Sequence, residues 1–444
     1  MLEPDRARRL AQAALAASSA DQTEVCVDFL EQELNRFTHD HPVQNQLRNI
    51  ARLSVRVHVD GREGKATTGT ITEEAVRRTV DRAIEVARHL PPPKDDLLPM
   101  AGEQDYELRR PNIVRPDPRA TARAVGNMTG ACRENGCRAA GIAGTENQLR
   151  LVVNSLGLDV WDVDTRSQIA LSAFKEAGAG WASRISADRG EIDEHAVART
   201  AVDKAVNSVD PRAVDPGHYT VILEPSAVAS LLLFASYKGF GAQQVQDGSS
   251  FLAGRTGEQV FDPRITLADD VYHPLTIGHV FDGEGVPRRR VNLVENGVAR
   301  DVVHDRRTAL KQGCQSTGHA QPQPSSSGPL PANLVLASGV GDTASLMKDV
   351  DRGILVTEFH YTNMVEPTKL TLTGMTRNGT FLVENGEVTQ AVRNMRFTQS
   401  LVEALNRVTA IGDNPKLCSA LFGGYTVVPS LRIDGFGFSS TTEF

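Results

Sequence analysis

Between Val221 and Asp270 the chain contains a helix with no polar side, and this limits the folds open to it. From Ala227 to Tyr237 the residues run AVASLLLFASY, apolar or small in every direction. A helix of this kind is buried in a large core and does not lie on a surface. It is too short to span a bilayer, which takes about 20 residues. Val221-Ile222-Leu223 before it is a short β-branched strand, and Glu224-Pro225-Ser226 suits a helix start. Gly239 and Gly241 mark its end. A glycine-punctuated loop and a second strand lead on to Asp270.

A chain of 444 residues can form two or more domains. Its formal net charge of −7 argues against a general nucleic-acid binder, which carries a basic excess. The one run of three basic residues, Arg288-Arg289-Arg290, reads as a solvated loop. The five cysteines, Cys26, Cys132, Cys137, Cys314 and Cys418, include no CxxC pair, so neither a zinc ribbon nor a thioredoxin-type motif is expected. A reduced, cytoplasmic protein fits this usage. The N-terminal segment is charged and amphipathic, without the apolar run of a signal peptide. No stretch is long and apolar enough to predict a membrane span.

The predicted class is α+β: an N-terminal α/β domain over 1–216 with an internal duplication, and a β-rich C-terminal domain over 217–444 that holds the buried helix. In the first half, helices are expected over 4–18, 72–90, 119–135 and 193–207. Strands are expected over 23–36, 47–60, 138–144, 149–155 and 167–175. The alternation in Leu53–Val59 is the clearest of these patterns. AVRRTVDRAI from Ala75 and AVARTAVDKAV from Ala196 are similar words and suggest the duplication. The proline-bearing stretch 209–217 marks the boundary. Beyond it, Asn296-Gly297 and Asn385-Gly386 predict two hairpin turns, because both central residues of such a turn take positive φ. Residues 320–331, rich in Pro and Ser, form a loop. Residues 403–410 are expected to be helical, and the chain closes in strands.

Several residues could carry chemistry. Glu358 and His360 fall on one side of a strand and could form an acid/base pair, although a satisfied polar pair explains them as well. His319 could line a groove or stabilise a turn. His304-Asp305-Arg306-Arg307 reads as a surface charge cluster. His39-Asp40-His41 reads as a surface loop, since two ligands alone make a poor zinc site. Gly254-Arg-Thr-Gly257 lacks the ending of a phosphate loop, Gly423-Gly424 and Gly435-Phe-Gly437 offer no dinucleotide fingerprint, and no Gly-x-Ser-x-Gly elbow occurs. The residues alone supply no complete active site.

GSSFLAGRTGEQVFDPRITLADD (Gly248–Asp270), Phe281–Pro287, Ser316–Ala320 and Asn333–Leu336 resemble, in the same order, segments of the TldD/PmbA family, associated with modulation of DNA gyrase. In the TldD branch the buried helix carries the metal-binding His-Glu-x-x-x-His. The matching positions here are Leu233, Phe234 and Lys238, and no His-Glu dipeptide occurs anywhere. The chain therefore resembles the metal-less PmbA/TldE-type branch. Where the family reads a Thr-Gly-Asp-Phe-Ser-like loop, this chain has Leu372-Thr-Gly-Met-Thr376, so no ligand-contact role carries over there. A cysteine near the C-terminus is a further metal ligand in the TldD branch; here Cys418 would be a lone ligand, and a buried structural cysteine is the better reading.

The resemblance implies a non-catalytic partner subunit of a heterodimeric metallopeptidase acting on peptides or unfolded substrates. Zinc is expected in the TldD-like partner bearing His-Glu-x-x-x-His, with no catalytic residue and no cofactor in this chain. Groove or partner contacts are expected at Lys238, Glu258, His319, Glu358, His360 and Cys418. Two alternatives stay open: a self-sufficient hydrolase around Cys418, His360 and Glu358, and a binding module that holds a peptide without cutting it.

Overall fold

The computed structural model describes residues 3–39, 41–93, 96–108, 113–419 and 424–442. Its first half runs α1 (Pro4–Ala17), β1 (Gln22–Thr38), β2 (His41–Val59), β3 (Arg62–Thr68), α2 (Glu73–His89), α3 (Pro118–Glu134), β4 (Arg138–Asn154), β5 (Asp159–Lys175), β6 (Gly178–Ser186) and α4 (Glu194–Val206). The order helix, three strands, helix thus occurs twice. The six strands form one antiparallel sheet, β3-β2-β1-β4-β5-β6, in which the two units meet along β1 and β4. All four helices pack on this sheet. Thr72 caps α2 as expected, accepting from the Ala75 N–H at 3.3 Å.

Two glycines show how the units repeat. A Cβ on Gly64 of β3 would stand 2.2 Å from the Ala83 carbonyl oxygen and 2.6 Å from the Ala87 nitrogen. A Cβ on Gly180 of β6 would stand 2.0 Å from the Ala201 oxygen and 2.5 Å from the Ala205 nitrogen. Each glycine lets a strand and a helix touch backbone to backbone. These contacts equate Ala83 with Ala201, whereas the similar words equate Ala75 with Ala196; the two alignments differ by three residues.

Two corrections concern strands. β4 is continuous where two short strands were expected, because its polar middle is internally satisfied: Thr145 meets the Ser167 hydroxyl at 3.0 Å, and Asn147 accepts from Thr165 at 2.8 Å. β3 and β6 were not anticipated, since their glycines look like turn signals in sequence. On the face away from the helices, residues 278–286 lie against the sheet, with the Val280 N–H donating to Asp162 at 3.0 Å and the Gly278 N–H to Asp164 at 2.7 Å.

The second half runs β7 (Gly217–Leu223), α5 (Pro225–Lys238), α6 (Ala242–Gln246), β8 (Leu267–Asp269), β9 (Val291–Glu295), β10 (Val298–Ala299), α7 (Arg306–Gln312), β11 (Asn333–Leu336), β12 (Arg352–Glu366), β13 (Thr371–Glu384), β14 (Glu387–Ala391), β15 (Met395–Ser400), α8 (Leu401–Leu405), β16 (Val408–Ile411), β17 (Lys416–Ser419), β18 (Tyr425–Val428) and β19 (Leu431–Thr441). One sheet has the order β10-β9-β8-β11-β18-β17. The other runs β12-β7-β19-β15-β13-β14, and because β12 also pairs with β13, five of its strands close into a ring. Phe359, Phe397 and Phe436, from β12, β15 and β19, pack with centroids 4.5 to 5.9 Å apart.

Helix α5 packs against β7 and β12 of one sheet and β17 and β18 of the other, which explains why it is apolar all round. Gly239 ends it with φ −97°, so its role is not a left-handed cap; a Cβ there would come within 2.7 Å of the Ala235 carbonyl oxygen. Both expected hairpin turns are present, with φ of 49° and 78° at Asn296-Gly297 and 52° and 82° at Asn385-Gly386.

Four expectations fail here. The helix expected at 403–410 is the shorter α8, capped by Ser400, and Val408–Ile411 is a strand paired with β19. His304 and Asp305 are not a surface cluster: both are buried, and Asp305 caps α7 through the Thr308 N–H at 2.7 Å. Arg288 has a buried Nη1, while Arg289 and Arg290 are exposed as expected. Leu372–Thr376 lies in β13, not in a loop. Of His39-Asp40-His41, both histidines are exposed, and Asp40 lies outside the described residues, as does Gly423. No helix among the described residues is long and apolar enough to cross a membrane.

Candidate functional site

The C-terminal half of α5 is flanked by two cavities that share Leu233. On one side, Ser230, Leu233 and Phe234 face the β12 segment Phe359–Thr362 across a space of about 30 Å³. On the other, Leu233, Ser236 and Tyr237 border a cavity of about 260 Å³ closed by Leu330, Pro331 and Tyr425. Sheet pairing puts β12 beside β7, and the β11–β18 pair brings the chain end alongside the helix. The result is a cleft on both sides of a buried helix, rimmed by Tyr237 and Tyr361, which are 39% and 67% exposed.

Leu233 and Phe234 are buried hydrocarbon, and Lys238 is exposed in the last helical turn, where a cation suits the helix dipole. Neither a hydrocarbon nor an ammonium can donate a lone pair to a metal. Among the described residues, no group of three or more His, Cys, Asp or Glu is placed to hold a metal ion. The residues at this position do not fit the metal of a metallopeptidase.

Glu358 and His360 do not pair with each other. Glu358 accepts from the Asn378 amide at 2.6 Å, and burial pushes its carboxyl up to about 7. His360 Nε2 lies 2.5 Å from Arg377 Nη1; burial and then the Arg377 charge hold the imidazole below its usual range, so it accepts this bond as the neutral ring. Cys418 is buried beside the Ser226 hydroxyl at 3.9 Å, and burial raises its thiol to about 11, the reverse of what a nucleophile needs. The three groups have separate partners and do not form a nucleophile–base–orienter chain.

His319 is fully buried, with Nε2 2.9 Å from Asp269 and Nδ1 2.9 Å from Thr317. Asp269 also accepts the N–H groups of Ala332 and Asn333, both at 2.7 Å. This pair fastens the loop after Ala320 to β8, which is the turn-stabilising role. Glu258 is exposed and pairs with Arg255 at 3.0 Å, away from the cleft.

Sequence reasoning missed Arg377 and Asn378, the partners of His360 and Glu358. One signal did exist. Asn378-Gly379 is a further Asn-Gly step, yet it turns no hairpin: with φ of 55° and 118° it makes a bulge inside β13, where the pairing with β12 shifts register.

Comparisons with known proteins agree with this architecture. Residues 216–440 match the PmbA/TldA metallopeptidase C-terminal domain, and residues 115–209 the central domain of the same group. The metalloprotease PmbA of Escherichia coli O157:H7 is 22% identical over 440 residues, spanning 95% of this chain and 94% of that protein. An uncharacterized protein of Methanocaldococcus jannaschii is 27% identical over 276 residues, 60% of this chain and 63% of that one. The crystal structure of TldE from Thermococcus kodakarensis superposes with a TM-score of 0.88 at 21% identity, covering 98% of this chain and 100% of that one. With the profile matches spanning more than half of its length, the chain belongs to the PmbA/TldD family.

Proposed function

We propose that this chain is the non-catalytic, TldE-like partner subunit of a TldD/TldE-type metallopeptidase acting on peptides or unfolded substrates. The observation that carries the reading is the replacement of all three metal-site positions by Leu233, Phe234 and Lys238 while the helix stays packed. A metallopeptidase needs a metal to polarise the scissile carbonyl and activate water, and a carboxylate to move the proton. Hydrocarbon at the first two positions removes that machinery and keeps the cleft, because a packed helix tolerates an apolar filling. The catalytic zinc belongs to the homologous subunit bearing His-Glu-x-x-x-His, in the cytoplasm.

The N-terminal sheet supports a partner contact. Residues 41–52 of β2 pair only with β1, since β3 joins at Leu53, and they expose Val43, Leu47 and Ile50. An open edge of this length with apolar side chains is a pairing surface. Elemental analysis of the gently purified chain tests the metal assignment: no stoichiometric zinc is expected, and near-unit zinc would overturn it. The design Leu233→His, Phe234→Glu, Lys238→His is not expected by itself to give a working enzyme, because nothing ensures outer residues that would orient the new ligands.

A further inference from the structure

We propose that the junction between the two halves of the chain is a binding site for a small phosphate-like oxyanion, distinct from the cleft along α5. The cavity there measures about 220 Å³ and is bordered on one side by Ser208 and Pro211 and on the other by Arg377, Asn378, Thr380 and Arg393. It is far larger than the roughly 10–15 Å³ that admits one water, so it is a solvated space and not a packing flaw.

Its charge is one-sided. No acidic side chain borders it. Arg377 and Arg393 form no ion pair with a carboxylate among the described residues; the first is bonded to a neutral imidazole, and the second reaches the Pro211 carbonyl only at 3.4 Å. Glu358, the nearby carboxyl that acts on Arg377, is engaged by Asn378. Arg377 and Arg393 are exposed at the mouth of this space, whereas two more buried arginines that border another cavity are held by carboxylates: Arg56 by Glu24 and Glu63, and Arg150 by Asp28.

Two further features point to a ligand. Thr380 is 2% exposed, and its hydroxyl has no hydrogen-bond partner, a costly state for a buried polar group. The β13 bulge at Asn378-Gly379 takes both residues out of the ladder with β12, beside the cavity. A Cβ at Gly379 would stand 2.8 Å from the Thr357 hydroxyl, itself unpartnered. Two guanidinium groups, an orphaned hydroxyl and strand backbone released at a bulge form a donor-rich, acceptor-poor set that complements an oxyanion with several acceptor oxygens. Because Arg377 also holds His360, whose ring borders the small cavity at Phe234, an anion bound here touches the cleft through one side chain.

The inference does not depend on the partner-subunit reading, and it is tested on the full chain alone. Inorganic phosphate is titrated at low ionic strength, with binding read by calorimetry and by ³¹P line broadening. Saturable one-to-one binding is expected, weakened about tenfold or more in Arg377→Gln/Arg393→Gln, the loss of two charge-assisted contacts. Arg82→Gln removes an exposed arginine on α2, which packs at the sheet edge opposite the cavity, and should leave the affinity within about twofold, as expected for a distant surface charge. Arg393→Gln alone, which leaves the His360 contact in place, keeps the test readable if the double variant does not fold; it too should weaken binding. Absence of saturable binding to the wild type, or equal weakening by Arg82→Gln, overturns the site.

Discussion

In residues 22–186 six strands lie side by side, hydrogen-bonded mostly to chain neighbours, with four helices packed on the sheet. In residues 217–441 one helix is caught between two sheets whose adjacent strands come from far apart: β7 lies between β12 and β19, and β11 beside β18. The first arrangement uses amphipathic helices, and buried polar groups such as Arg56 and Asn147 are satisfied by partners on adjacent strands, Glu24 and Thr165. The second uses a helix with no polar side, and it gathers His360, Arg377, Leu233 and Tyr425 into one neighbourhood. Local pairing builds a scaffold; distant pairing builds the clefts.

The largest expected effect comes from breaking the buried helix. Phe234→Asp places an unpaired carboxylate between two sheets and should cost several kcal/mol, on the order of the stability of a whole domain. Thermal unfolding checks this, and an unchanged melting temperature would mean that α5 is not caught between sheets. Next, Gly64→Ala and Gly180→Ala should each cost roughly 1–3 kcal/mol, since the added methyl meets helix backbone that cannot move aside. Similar losses in the two variants would support equivalent roles in the two units; a loss in one alone would break the equivalence.

A smaller effect concerns pH. The Glu358 carboxyl is raised by burial to about 7. The folded state therefore favours its protonated form, so the contribution is present below the ordinary carboxylate range and is lost as pH rises through about 7. Relative to Glu358→Gln, the wild type should lose on the order of 1–2 kcal/mol between acid and neutral pH. Parallel stability curves for the two proteins would contradict it. Smallest of all, Asn385→Ala, at a hairpin position with φ 52°, should cost about 1 kcal/mol in chemical denaturation. A loss as large as that of Phe234→Asp would mean that the hairpin, not the buried helix, limits the second half.

These contrasts also explain what could be read from the residues. The buried helix and the two hairpin turns were legible because all-round apolarity and Asn-Gly steps act locally. The alternation of Leu53–Val59 and the Thr72 cap were legible for the same reason. β3 and β6 were not, because Gly64 and Gly180 serve close approach to helices that only the folded chain brings near. The polar centre of β4 concealed its continuity, since Ser167 and Thr165 satisfy it from a neighbouring strand. The metal-site positions were legible only through the resemblance. Arg377 at His360 and Asn378 at Glu358 were hidden by a bulge that shifts the register between two strands.

The most direct test of the partner-subunit account is peptide hydrolysis in reconstitution. The purified chain is assayed alone, then mixed with a homologue bearing His-Glu-x-x-x-His, and then with that homologue after mutation of its glutamate. The account predicts no turnover by this chain alone, turnover in the mixture, and none once the glutamate is gone. Robust, chelator-insensitive turnover by this chain on its own would contradict it.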